Sequence, residues 1–219
     1  MQFDYWFPTT IYHTDLTPSK ETFDGMIGYV DDFYKKTYPE LDTSITGDVN
    51  GDYRIYDKPE FQWLNSQVGI HCKKYLEHIG VDVERVNLYA QKAWPVVCNT
   101  GGGTVAPHRH LNSVLSVVYW LQVDDYKSGE ITFSSSNTFT DMPLAFENWC
   151  PANADETSYS PVTNKLIVFP SNLFHRVGPH FGDKSRYSIT YDIMVVSKDR
   201  SNIEHFITDP TTWKSVTVS

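Results

Sequence analysis

Apolar positions recur at three- and four-residue spacing in two N-terminal stretches and at two-residue spacing in much of the C-terminal two thirds of the chain. Phe23, Met26, Ile27, Val30, Phe33 and Tyr34 fall on one helical face, which predicts a helix from about 17 to 38. Thr17 followed by Pro18 supplies an N-cap and a first-turn residue. Leu64, Val68, Cys72, Tyr75, Leu76 and Ile79 predict a second helix over 59–79, with Gly80 as its stop. Between them, 42–56 holds Gly47 and Gly51 among polar residues and reads as a long loop. Near residue 85 the texture changes. Runs rich in β-branched and aromatic residues at 84–94, 114–123, 130–133, 165–169 and 186–196 are divided by Gly, Pro, Asn and Ser clusters. Strands in series without helices between them predict a sandwich or barrel-like double sheet, braced by the two helices. The expected class is mainly β with flanking N-terminal helices (α+β). Residues 134–164 show little periodicity and read as a long insert of the kind that covers an active site.

A chain of 219 residues makes one domain, here a helical support region (1–84), a β core (85–196) and a C-terminal tail (197–219). No window reaches the roughly 18 apolar residues of a membrane helix. The start, MQFDYWFPTTIYHTD, has neither a basic n-region nor an apolar h-region. A cytoplasmic location, without a membrane partner, is expected. The net charge is −9 and no Lys/Arg cluster exceeds a pair, which argues against a nucleic-acid partner held through phosphates. Cys72, Cys98 and Cys150 are odd in number and form no CxxC, so they read as buried free thiols.

The chemistry concentrates in the β half. His108 and His110 lie two apart in APHRHLNS, and in an extended segment both imidazoles reach toward one point. His175 follows the strand KLIVF, which Pro170 ends, so it is expected on a loop at the sheet rim. A close pair from one strand end and a distant histidine from another can build a metal site at a barrel mouth. Imidazole suits Fe, Zn, Cu and Ni, so these ligands alone leave the metal open. In RYSITYDIMV, Arg186, Ser188 and Thr190 share one face, and Tyr187, Ile189 and Tyr191 the other. An inward arginine must meet an anion: a bound carboxylate, which its planar fork matches, or an internal Asp or Glu. Other features carry less. His180 reads as a solvated loop histidine, and Gly101–Gly103, with no GK[ST] after it, as a flexible turn. Tyr5, Trp6, Phe7, Trp94, Trp120 and Trp149 read as core and interface filler.

FPTTIY (7–12), HRHLNSVLSVVYWLQ (108–122), LIVFPSNLFHRV (166–177) and RYSIT (186–190), in this order, resemble the non-haem Fe(II), 2-oxoglutarate-dependent oxygenases. More narrowly they are similar to an uncharacterised subfamily of marine bacteria and tailed phages, for which the host cytoplasm would be the location. The resemblance implies a double-stranded β-helix, or jelly roll, with iron at its open end. It assigns His108 and His175 to the iron, and Arg186, with Ser188, to the distal carboxylate of 2-oxoglutarate. It places Tyr119 near a tyrosine that touches the cosubstrate, although alternation along the strand turns Tyr119 to the face opposite His108.

One departure from the family pattern falls at His110, where the wider superfamily has Asp or Glu. With His108, His110 and His175 as ligands the centre carries one more positive charge. Alternatively His110 stands behind the metal and Asp124, Asp125 or Glu130 supplies a carboxylate. The resemblance implies a dioxygenase using Fe(II), 2-oxoglutarate and O2 to hydroxylate a protein side chain, prolyl among the options, or a small metabolite, with release of succinate and CO2. Two alternatives remain: a non-catalytic jelly-roll binding or structural protein with a His-rich metal site, and a 2-oxoglutarate-independent three-histidine dioxygenase. The aromatic-rich surface would suit a homodimer.

Overall fold

The computed structural model describes residues 2, 7–37, 44–124, 128–135, 145–198, 207–208 and 210–216. Among the described residues, ten strands form two antiparallel sheets packed face to face. The larger contains β1 (Tyr12–Asp15), β2 (Ser44–Thr46), β3 (Val86–Cys98), β5 (Leu115–Gln122), β8 (Lys165–Pro170) and β10 (Arg186–Ser197), in the order β1-β8-β5-β10-β3-β2. The smaller contains β4 (Gly103–His108), β6 (Ile131–Ser134), β7 (Glu156–Tyr159) and β9 (His175–His180), in the order β4-β9-β6-β7. The chain crosses between sheets repeatedly, the topology of a double-stranded β-helix, as expected.

Helix α1 (Lys20–Lys36) buries Met26, Val30 and Phe33, as its periodicity predicts. Its cap is Ser19, two residues beyond the expected Thr17, because the Ser19 hydroxyl accepts the Thr22 N–H. Helix α2 (Gln62–His78) follows a 3-10 turn at Pro59–Phe61 and ends before Gly80, whose φ of +87° is the left-handed stop. Both helices cover the outer face of the larger sheet. There Leu64, Val68 and Leu76 meet Val117, Tyr119, Leu121, Ile189 and Tyr191 in the main core. A second core, Trp120, Ile131, Phe133, Ile167, Phe169 and Leu173, fills part of the space between the sheets. Trp94, Val96 and Cys98 form a third cluster there, with Val105 of β4 against it.

Four expectations change. The loop at 42–56 holds β2 and a 3-10 turn at Ile55–Asp57. The insert at 134–164 contributes β7, which pairs with β6; its residues 136–144 lie outside those described, as do Tyr5 and Trp6. His175 begins β9 rather than sitting on a loop, since the turn after Pro170 is only four residues long before pairing with β4 and β6 resumes. Finally, Cys72 and Cys98 are buried but Cys150 is exposed. Among the described residues, no helix is long and apolar enough to cross a membrane.

Candidate metal centre

His108 ends β4 and His175 begins β9, and the two residues are register partners. His110 lies two residues past β4, anchored by its N–H to the Ser171 carbonyl at 2.8 Å. One ring nitrogen from each histidine lies within 4.8 Å of one from each of the others. The ring centroids of His108 and His175 are 4.3 Å apart, and the His110 and His175 rings stack within 9° of parallel.

Each Nδ1 has a partner of its own. His108 Nδ1 faces the Ala106 carbonyl at 2.8 Å, His175 Nδ1 the Leu173 carbonyl at 2.9 Å, and His110 Nδ1 an Asp192 carboxylate oxygen at 2.7 Å. A carbonyl only accepts, so these Nδ1 atoms carry the hydrogen, and in a neutral ring Nε2 keeps a free lone pair. This is how ligating histidines are oriented from behind. Burial, with His108 and His110 adding to it, pushes His175 down to about 3, and burial likewise lowers His108. Both rings are therefore neutral near pH 7, the form a metal needs. Phe133 and Phe169, with centroids 5.9 and 4.9 Å from the His175 ring, supply the apolar wall. Trp94 stacks on His110 at 5.7 Å.

Along β10, Arg186, Ser188, Thr190 and Asp192 face the space between the sheets, while Tyr187, Ile189 and Tyr191 face the helices. Asp192 touches His110, and Arg186 is opposite Cys98 of the intersheet cluster. Arg186 and the His110 partner Asp192 thus stand toward opposite ends of the between-sheet face of β10. The Arg186 side chain is 2% exposed. Its Nη1 donates to the Gly129 carbonyl at 2.6 Å and its Nη2 to Cys98 Sγ at 2.8 Å, and its buried Nε has no partner. No carboxylate among the described residues pairs with it. The internal salt bridge left open by the sequence is absent there, and a buried cation with an orphaned donor is what an incoming carboxylate would complete.

Tyr119 does not join this constellation. It packs in the helix-side core with its hydroxyl on Asn164 Oδ1, because alternation along β5 puts Trp120, not Tyr119, between the sheets. The acids considered as substitutes for His110 are also engaged elsewhere. Asp124 accepts the Lys184 N–H and Glu130 the Ser160 hydroxyl; Asp125 lies outside the described residues. His180, expected in water, is fully buried: Nε2 meets the Lys184 carbonyl at 2.6 Å and Nδ1 the Ser128 hydroxyl at 3.2 Å. It ties the end of β9 to two loops. The residue that sequence reasoning missed is Asp192, whose position behind His110 depends on register between distant segments.

Residues 92–192, which contain all three histidines and Arg186, match the model of a family described as "Putative 2OG-Fe(II) oxygenase". That span, a little under half of the chain, is similar to the 2OG-Fe(II) oxygenases. No curated protein sequence matches this chain. The fold is similar to that of a Trichoplax adhaerens prolyl hydroxylase crystallised with a peptide fragment of the hypoxia-inducible-factor oxygen degradation domain. That match has 12% identity and a TM-score of 0.57, over 84% of this chain and 83% of that one. It is also similar to the non-haem α-ketoglutarate-dependent carbocyclase SnoK of nogalamycin biosynthesis, with 10% identity and a TM-score of 0.58 over 90% and 85%. An oxidoreductase of the 2OG-Fe(II) oxygenase family from Burkholderia pseudomallei is matched over 63% of this chain and 59% of its own, at 13% identity and a TM-score of 0.46. The chain thus spans under two thirds of that protein's length.

Proposed function

We propose that the protein is a 2-oxoglutarate-dependent hydroxylase in which His108, His110 and His175 hold Fe(II) through Nε2 and Arg186 holds the distal carboxylate of 2-oxoglutarate. The observation that carries this reading is a three-histidine group with every Nδ1 spent, facing the same cleft as a buried arginine that lacks an anion. The donor set fits the cofactors. Three imidazoles would hold the metal and leave it positions for a keto acid and oxygen. When bound, the iron and 2-oxoglutarate supply the oxidising power: O2 converts the keto acid to succinate and CO2, and one oxygen atom goes to the substrate.

The chain's own residues do the rest. Arg186 is held from two sides by the Gly129 carbonyl and the Cys98 sulfur, so the carboxylate meets a donor already in place. Ser188, buried on the same face, adds a hydroxyl beside it. Phe133, Phe169 and Trp94 exclude water from the histidine end. Above it, His110 leads to Leu111 and His175 follows Phe174, both exposed, with the Arg109 guanidinium over the Phe174 ring at 5.4 Å. This rim suits a side chain presented by a peptide, prolyl included, better than a highly charged metabolite.

Anaerobic titration of the Fe(II)-loaded protein with 2-oxoglutarate tests the reading. A saturable visible charge-transfer band that is lost in Arg186→Ala is expected. Full iron occupancy without a band would remove the keto acid from the site and leave a three-histidine centre of another kind.

A further inference from the structure

We propose that Asp192 is a positioning residue that returns to this centre, from behind His110, the negative charge that a ligating carboxylate would otherwise supply. The inference rests on the reading of the three histidines as iron ligands and assigns a part to a residue that is not one of them. Asp192 is 2% exposed, and one carboxylate oxygen receives both the His110 Nδ1 hydrogen at 2.7 Å and the Ser116 hydroxyl at 3.1 Å. Its other oxygen lies 3.3 Å from Lys92 Nζ. The register of β10 against β3 shifts between Asp192 and Ile193, an irregularity of the kind that re-aims a side chain next to a site.

Three neutral imidazoles leave a divalent cation uncompensated, whereas an ionised carboxylate on the far nitrogen of one of them makes that ring a stronger donor. Two titratable groups, one of them a cation, face Asp192. Lys92 is a third exposed and is shared with Asp48 at 3.9 Å, so water screens it; His110 is nearly enclosed. The charge of Asp192 is therefore felt mainly toward His110. An aspartate paired only with Lys92 for stability would not need an oxygen aimed at the metal-side histidine.

The test moves the charge. Fe(II) affinity, measured anaerobically without turnover, and the Fe(III)/Fe(II) midpoint potential are compared in wild type, Asp192→Asn, His110→Asp and the double variant. Asp192→Asn keeps the shape and an acceptor; it should bind Fe(II) about 10–100-fold more weakly, with a higher midpoint potential. His110→Asp alone sets two carboxylates against each other. Adding Asp192→Asn to it should recover affinity and bring the potential back toward wild type. An unchanged affinity and potential in Asp192→Asn would overturn the role of Asp192, as would a double variant no better than His110→Asp. Failure of the wild type itself to bind Fe(II) would instead overturn the metal centre, so the two failures are distinguishable. Circular dichroism on every variant separates loss of charge from loss of fold; if Asp192→Asn does not fold, the comparison of His110→Asp with the double variant decides.

Discussion

Arg186 Nη1 donates to the main-chain carbonyl of Gly129 at 2.6 Å, so a backbone oxygen just before β6 holds the buried guanidinium between the sheets. Gly129 has no room for a side chain: a Cβ there would lie 1.8 Å from the Gly178 carbonyl oxygen on β9. Gly129→Ala must therefore part β6 from β9 and carry the carbonyl away from Arg186. The expected cost is about 1–3 kcal/mol of stability, read by urea denaturation, together with weaker 2-oxoglutarate binding at retained Fe(II) affinity. Unaltered cosubstrate affinity in a destabilised variant would mean that the Gly129 carbonyl does not set the position of Arg186.

His175→Ala removes a buried imidazole whose Nδ1 is already oriented by the Leu173 carbonyl. Its loss should weaken Fe(II) binding by more than the roughly 10–100-fold expected for an outer hydrogen-bond partner. Metal titration on the folded variant checks this, and near-wild-type affinity would mean that the three histidines do not act as one ligand set.

Tyr119→Phe separates the helix-side core from the cleft. It deletes the hydroxyl that donates to Asn164 Oδ1, a residue held at a φ of 69°, and should cost about 1 kcal/mol. The charge-transfer titration with 2-oxoglutarate should be unchanged, and a weakened titration would return Tyr119 to the cosubstrate.

The thiols should divide by exposure. In native protein at pH 8 only Cys150 should react with an alkylating reagent, and all three should react after denaturation, as counted by mass spectrometry. Burial pushes the Cys72 thiol up to about 12, above its ordinary 9.0. The folded state thus favours the protonated thiol, and its contribution to stability is complete below about pH 9 and is lost as the pH rises toward 12. Burial raises Tyr191 in the same sense. Melting temperature should decline over that alkaline range, and less steeply in Cys72→Ala measured against its own neutral-pH value.

The helices and long strands are legible in sequence because a buried stripe repeats along them, as Met26, Val30 and Phe33 do in α1. The shorter strands are not. β9 reads HRVGPH and β4 GTVAPH, where Pro and Gly interrupt any alternation, and their pairing comes from neighbours far off in the chain. His108, His110 and Arg186 stand out because their residue types are costly between sheets without a partner. Asp192 hides inside an otherwise apolar strand, since nothing local says that Ser116 and His110 will be brought to it. Tyr119 shows the reverse: family resemblance draws it toward the site, while simple alternation already turns it away.

β10 is paired on both sides, with β3 and with β5, and shows the cleft one set of side chains and the helices the other. A single inserted or deleted residue in it would exchange Arg186, Ser188 and Asp192 for Tyr187, Ile189 and Tyr191, disrupting the candidate site and the hydrophobic foundation together. Diversification toward new substrates is thus steered away from this strand and into the segments bordering the mouth, where length can vary without moving a ligand.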